Sequence, residues 1–306
     1  MANVRGPHLR TPLTLLHSDR DALERDDPAI LAPGEDARYL VTRAGAAAMT
    51  EREDSVLQLD LETEDPRAAT TEMLVFLGRR DGHRILAAEI AEPSPELDLP
   101  GRDLRDLRRV AQHLDPADAD LALAAVSMGS WHRVTRHCPQ CGGALDPEMG
   151  GWVLRCREEG SEHFPRTDPA VIMAVRDGDD RLLLARNAHF PDRFHSVLAG
   201  FVEPGETLEG AVIREVAEEV GVVVDEVQYV GSQPWPFPRS LMLGFRAWVP
   251  GAAALSLQDE EIAEARWFSR EEYTAAVEQG DIEVPSGSSL GRALIDDWLD
   301  GSEHGE

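Results

Sequence analysis

The chain has 306 residues, with 30 basic and 57 acidic side chains, a formal net charge of −27 and 42% hydrophobic residues. That apolar fraction sustains packed cores, and the length suggests two domains with room for a small extra module. A surface this negative repels phosphate backbones and anionic bilayers, which argues against non-specific nucleic-acid binding and membrane docking. Every basic residue is arginine; there is no lysine. No apolar run approaches the ~18 residues of a spanning helix, and the N-terminus has no signal-like apolar core, so a cytoplasmic protein without membrane contact is expected. Three cysteines, two of them in a C-x-x-C, suit a reduced compartment and a metal site better than a disulfide framework.

Residues 1–133 read as a small N-terminal α+β domain. Strands are predicted at 38–41, 56–61, 73–77 and 84–88, with Asp81-Gly82 as a tight turn before the last of these. The stretch 93–100, bounded by prolines, reads as a loop. Leu104, Leu107, Val110, Ala111 and Leu114 recur at helical spacing and predict a helix that Asp103 could cap; a second helix is predicted over 118–133. Trp131 and Trp152 read as packing residues. His113, His132, His189 and His195 have no ligand spacing, and nothing in this first region names a chemistry.

Residues 134–166 form a short zinc-ribbon-like module. Cys138-Pro-Gln-Cys141-Gly-Gly has the form of a zinc knuckle, whose small residues free backbone amides to face the sulfurs. With Cys156 it supplies three ligands of a structural Zn²⁺ site, and His163 is the candidate for the fourth. The alternative is a ribbon held by its own packing around Trp152.

Residues 167–306 form the third unit. Strands are predicted at 170–175 and 181–185, joined by a hairpin at 177–180. A glycine-rich loop at 199–206 leads into a helix at 207–220 that Gly221 ends. Strands at 222–224, 228–230, 241–249 and 265–268 follow. Ser269-x-x-Glu272 is a capping box, a last helix covers 290–299, and a short acidic tail closes the chain.

The helix at 207–220 carries the chemistry. Glu215, Glu218 and Glu219 stand at i, i+3 and i+4, so their carboxylates emerge from one side. Like charges at that spacing cost about 0.2–0.5 kcal/mol per pair in solvent. A solvated acidic face is one reading. Against it, Glu215 and Glu219 fall beside Leu208 and Val212, on the rim of the apolar stripe Val212/Val216/Val220. Arg214 is expected to point away from the trio and leave it un-neutralised. Half-buried carboxylates need a counter-charge, and a hard divalent cation with oxygen ligands supplies one.

The segment Gly200-x5-Glu206-x7-Arg214-Glu215-Val216-x-Glu218-Glu219-x-Gly221-Val222 resembles the Nudix box at every fixed position. The resemblance implies an α/β/α sandwich, Mg²⁺ or Mn²⁺, and hydrolysis of a nucleoside diphosphate linked to another group. It implies that Arg214 pairs with Glu206 to brace the loop. It also implies that Glu215, Glu218 and Glu219 hold metal together with the Ala199 carbonyl and the distal Glu261, for which Glu260 is the alternate. Glu218 or Glu219 is the candidate general base.

The string Ser232-Gln233-Pro234-Trp235-Pro236-Phe237-Pro238-Arg239-Ser240 reads as a stiff extended loop, presenting aromatics for a planar base or pinned to the core by Trp235 and Phe237. It is similar to the signature of the NADH pyrophosphatase branch of the Nudix hydrolases. That likeness implies cleavage of NAD(H) to NMN(H) and AMP and, in some members, removal of NAD caps from RNA 5′ ends, with the residues from Gln233 to Ser240 in substrate binding. It further implies that Phe164 and Phe201 line a base pocket, that Gly291 makes a backbone contact usually made by Ala, and that the protein is a homodimer. A Nudix hydrolase of ADP-ribose or a diadenosine polyphosphate, and a catalytically silent NAD-binding adaptor, are the rival readings. The net charge predicts that any action on capped RNA rests on the cap and falls little with salt.

Overall fold

The computed structural model describes residue 9 and residues 18–66, 71–90, 103–251, 253–257 and 261–301. Two compact bodies result: Leu9 and Asp168–Pro234 with the described residues from Ser240 on, and the described residues from Ser18 to Thr167 with Trp235–Arg239. The cysteine segment groups with the residues before it.

The strand Asp168–Arg176 is apolar on both faces, and this decides the architecture of the C-terminal body. Val171, Met173 and Val175 join one core with Val212, Val216 and Val220 of the helix Leu208–Val220. Ile172 and Ala174 join the opposite core with Leu290, Leu294, Ile295 and Trp298 of the helix Leu290–Leu299. The sheet is therefore sandwiched between helices, an α/β/α arrangement. Its order is Glu226–Trp235, Ser240–Trp248, Asp168–Arg176, Leu182–Asn187, Ile262–Phe268, with Leu198–Phe201 paired to Asp168–Arg176. Asp168–Arg176 runs parallel to Ser240–Trp248 and antiparallel to Leu182–Asn187.

In the N-terminal body, strands Leu57–Leu59, Ala46–Glu51, Ala37–Arg43, His83–Ile90 and Thr71–Arg80 lie in that order. The helix Ala119–Val134 packs its nearly all-apolar length against them. Gly129 is required there: a Cβ would press on the Glu89 carboxylate, which accepts from Thr42 Oγ1, the Ala44 amide and Arg133. Strands Glu162–His163, Val153–Cys156 and Leu145–Glu148 make a separate small sheet.

Several expectations change. The predicted helix over 104–114 is a strand, Leu104–Asp106, followed by a single turn, Leu107–Val110, and a 3-10 turn, Ala111–His113. Pairing of residues 104–106 with Ala46–Glu51 outweighs the helical spacing, and Asp106, not Asp103, caps the turn. Ala46–Glu51 itself escapes prediction because alanine carries no strand preference. Residues 199–201 of the expected glycine-rich loop belong to the strand Leu198–Phe201, and 222–224 form none. The stretch 93–100 and the acidic tail lie outside the described residues. No helix among the described residues is long and apolar enough to cross a membrane.

The last helix is fixed by charge as well as packing. Arg246, buried on Ser240–Trp248, forks onto Asp297 at 2.8 and 2.7 Å, and Arg176 approaches the same carboxylate at 3.5 Å. Asp297→Asn leaves two buried guanidiniums facing a neutral amide. It should cost about 3 kcal/mol and lower the thermal or urea midpoint; an unchanged midpoint would mean that the pairing is energetically idle.

Candidate active site

The loop–helix 198–221 is assembled by local devices. Leu198–Phe201 runs antiparallel to Asp168–Arg176 with Ala199 opposite Ile172. Thr207 caps the helix Leu208–Val220 by accepting from the Gly210 amide at 3.1 Å, and Gly221 closes it in the left-handed region at φ 69°. Between these ends, Glu206 accepts from the Glu203 amide at 3.1 Å, which folds the loop onto the helix. Gly200 is needed because a Cβ there would overlap the Glu215 carboxyl group.

Arg214 corrects the sequence reading. Its guanidinium does not point away from the glutamates; the flexible stem carries it back over them. Nε and Nη2 fork onto Glu206 at 2.9 Å each, Nη1 donates to both Glu215 and Glu218 at 2.9 Å, and Nη2 also reaches the Phe201 carbonyl at 2.9 Å. One cation thus binds loop and helix together. The Glu206 contact dominates in raising the Arg214 pKa, and the same hydrogen bond lowers that of Glu206.

The carboxylates differ in environment. Glu219 is 5% exposed, among the valines of the helix; Glu218 has 58% of its side chain in solvent, and Glu215 14%. Burial pushes the Glu215 carboxyl above the usual carboxylate range; the Arg214 hydrogen bond pulls it back, and the charges of Glu218 and Glu261 push it further up. Glu261 therefore belongs to the same electrostatic neighbourhood. Its side chain accepts from Asn187 Nδ2 at 3.0 Å, and its carbonyl accepts from the Ala188 amide at 2.8 Å. Glu260 lies outside the described residues. Oxygen donors alone, partly desolvated, suit a hard divalent cation, which Glu215, Glu219 and Glu261 would hold, with the solvent-facing Glu218 at the edge of the group.

The Pro–aromatic string is not one extended loop: residues 232–235 end the strand Glu226–Trp235, Ser240 opens the strand Ser240–Trp248, and only residues 236–239 connect them, with the Phe237 amide donating to the Trp235 carbonyl at 2.8 Å. Gln233, expected at the substrate, is fully buried. Its Nε2 donates to the Ser288 carbonyl and its Oε1 accepts from the Leu290 amide, each at 2.8 Å. Its side chain braces the start of the last helix. Pro234 is exposed and Ser240 half-buried in the same body. Gly291 lies buried in the first turn of that helix; a Cβ there would sit 3.3 Å from Ile172 Cδ1 and Ser196 Oγ, close enough that these side chains would have to shift by a few tenths of an ångström. Phe201 is 59% exposed beside the carboxylates.

In the other body, Trp235 and Phe237 meet edge to face at 5.2 Å, and Phe237 packs on the core. Pro236 is buried, while Pro238 and Arg239 are exposed. Phe164 is also exposed. The three cysteine sulfurs gather with a Glu159 carboxylate oxygen, all within 4.8 Å of one another, a donor set suited to Zn²⁺. His163, expected as the fourth member, stands one residue further out, with Nε2 3.2 Å from Ser161 Oγ. Glu159 was not assigned as a ligand because one glutamate in so acidic a chain carries no zinc-ligand signal of its own, whereas His163 does.

Two family models match the chain: a NUDIX domain over residues 166–285, and an NADH pyrophosphatase-like rudimentary NUDIX domain over 13–131. The chain is 43% identical over 234 residues to the NAD-capped RNA hydrolase NudC of Mycobacterium bovis, covering 73% of this chain and 74% of that one. It is 40% identical over 223 residues to the protein of that name from Stutzerimonas stutzeri, covering 73% and 76%. The crystal structure of a NUDIX hydrolase from Nitrosomonas europaea matches with a TM-score of 0.45 and 24% identity, over 56% of this chain and 94% of that one.

Gly200→Ala forces the Glu215 carboxylate out of its place. Titration calorimetry should then find Mn²⁺ affinity at this site weakened by about tenfold or more. An affinity equal to wild type would show that residue 200 does not hold Glu215.

Proposed function

This chain belongs to the NUDIX hydrolases, in the branch of its NudC relatives, and on that footing we propose that it hydrolyses the pyrophosphate of NAD(H) to NMN(H) and AMP and removes NAD caps from RNA. The observation that carries the reading is the cluster of box glutamates around half-buried Glu215, braced by Arg214. Mg²⁺ or Mn²⁺ at that cluster and structural Zn²⁺ at the cysteines complete it. A cytoplasmic homodimer is part of the same proposal; the free thiols of Cys138, Cys141 and Cys156 support a reducing compartment.

Pyrophosphate cleavage needs negative charge relieved on the phosphate oxygens and a water delivered in line with the leaving group. A divalent cation, when bound, supplies Lewis-acid charge and acidifies water. The chain's own residues do the rest. Glu215, Glu219 and Glu261 present oxygens for the cation, and burial of Glu219 keeps its side chain in one rotamer. Glu218 faces solvent and is the group we assign as general base, taking the proton of the attacking water. Arg214 keeps the loop carrying Glu206 against the helix, so the acceptor oxygens stay where the substrate meets them. Phe201 offers an exposed ring on which a nucleobase stacks.

Incubating the full chain with NADH and Mg²⁺ should release AMP and NMNH in equal amounts, and a chelator should stop turnover. Faster cleavage of ADP-ribose than of NADH or NAD-capped RNA would defeat the substrate assignment. Glu218→Gln should lower kcat by about 10²–10⁴-fold with little change in KM. Glu219→Gln should instead raise the metal concentration needed for half-maximal rate; equal behaviour of the two variants would refute the division of roles.

A further inference from the structure

We infer that Glu159 is the fourth ligand of the cysteine module, so that zinc is held by three thiolates and one carboxylate. The inference concerns the ribbon alone and stands whatever substrate the Nudix site takes. Four donor atoms lie mutually within 4.8 Å: the sulfurs of Cys138, Cys141 and Cys156 and a carboxylate oxygen of Glu159. Tetrahedral zinc with bonds of about 2.3 Å to sulfur and 2.0–2.2 Å to oxygen has donor–donor edges of roughly 3.5–3.8 Å. Cys141 Sγ and Cys156 Sγ stand 3.4 Å apart, and Cys138 Sγ and Glu159 Oε1 2.9 Å apart, so small shifts of these side chains bring the donors to tetrahedral spacing.

The surroundings fit the same assignment. The Gln140 amide points at Cys138 Sγ and the Gly143 amide at Cys141 Sγ, each at 3.4 Å, which stabilises thiolate charge. Gly143 leaves room that a side chain would take: a Cβ there would sit 3.2 Å from Cys156 Sγ and 3.3 Å from Cys141 Sγ. On the other side of the carboxylate, Ser161 Oγ donates to Glu159 Oε1 at 2.8 Å and meets His163 Nε2 at 3.2 Å. Ser161 stands between the imidazole and the sulfurs. The histidine therefore orients Glu159 through the serine, as groups behind metal ligands commonly do. A carboxylate is a harder donor than a thiolate, so this site should hold zinc less tightly than a four-cysteine ribbon.

The test uses the full-length chain under reducing conditions, stripped of metal and reloaded with Zn²⁺ or Co²⁺. Affinity is read by competition with a chromophoric chelator, and ligand type by the cobalt–thiolate absorption. Wild type should bind one ion at the ribbon with a three-thiolate spectrum. Glu159→Gln should lose affinity by about tenfold or more, and His163→Ala should lose less than Glu159→Gln does. Glu159→Cys, which cannot fail merely for want of a ligand, should bind more tightly and raise the thiolate absorption by about one third, in the ratio of four thiolates to three. A wild-type ribbon that takes neither ion would overturn the proposal. So would unchanged affinity in Glu159→Gln, or a Glu159→Cys spectrum no stronger than wild type.

Discussion

A single guanidinium holds the catalytic segment in order. Arg214 sits among three carboxylates that would otherwise push one another apart, and its geometry divides the work. The Nε–Nη2 edge fixes Glu206 and hence the loop, while Nη1 holds Glu215 and Glu218 on the helix. A lysine at that position would present one point charge and could not bridge loop and helix with a fixed fork. The rest of the body serves this arrangement. The strand Leu198–Phe201 brings Gly200 against Glu215, the apolar stripe fixes the rotation of the helix, and the sheet beneath is buried on both faces.

The two bodies put their buried charge to different ends. In the N-terminal one, the buried carboxylate of Glu89 is satisfied by a hydroxyl, an amide and an arginine, and Asp118 by Arg80 and the Leu59 amide. Such groups lock secondary structure together and leave nothing for a ligand. In the C-terminal one, the charges of Glu218 and Glu261 bear on the half-buried carboxyl of Glu215. The rudimentary NUDIX match over 13–131 falls on the body without the glutamate motif, so fold and chemistry have parted company within one chain.

Legibility followed the strength of the local pattern. The helices Leu208–Val220 and Leu290–Leu299 stand in the sequence almost to the residue, because apolar periodicity, caps and a closing glycine coincide there. Residues 104–114 misled because tertiary pairing with an alanine-rich strand overrode their period. The glutamates of the box were readable from spacing, and the Arg214–Glu206 pair from the resemblance; the further reach of Arg214 to Glu215 and Glu218 was not, since a helical wheel places Cα atoms and says little about where a long flexible side chain ends. Burial of Gln233 was hidden for a similar reason. Its partners, Ser288 and Leu290, are some fifty-five residues away along the chain.

That buried amide has a chemical consequence. The carboxamide donates to one backbone group and accepts from another at the same fork; an ionised glutamate at 233 has no donor and would set an anion against the Ser288 carbonyl. Spontaneous deamidation of glutamine proceeds by ring closure, in which the backbone nitrogen of the following residue attacks the side chain. Here that residue is Pro234, whose nitrogen carries no hydrogen and cannot close the ring. A proline within the strand thus shields the brace beside it from chemical ageing.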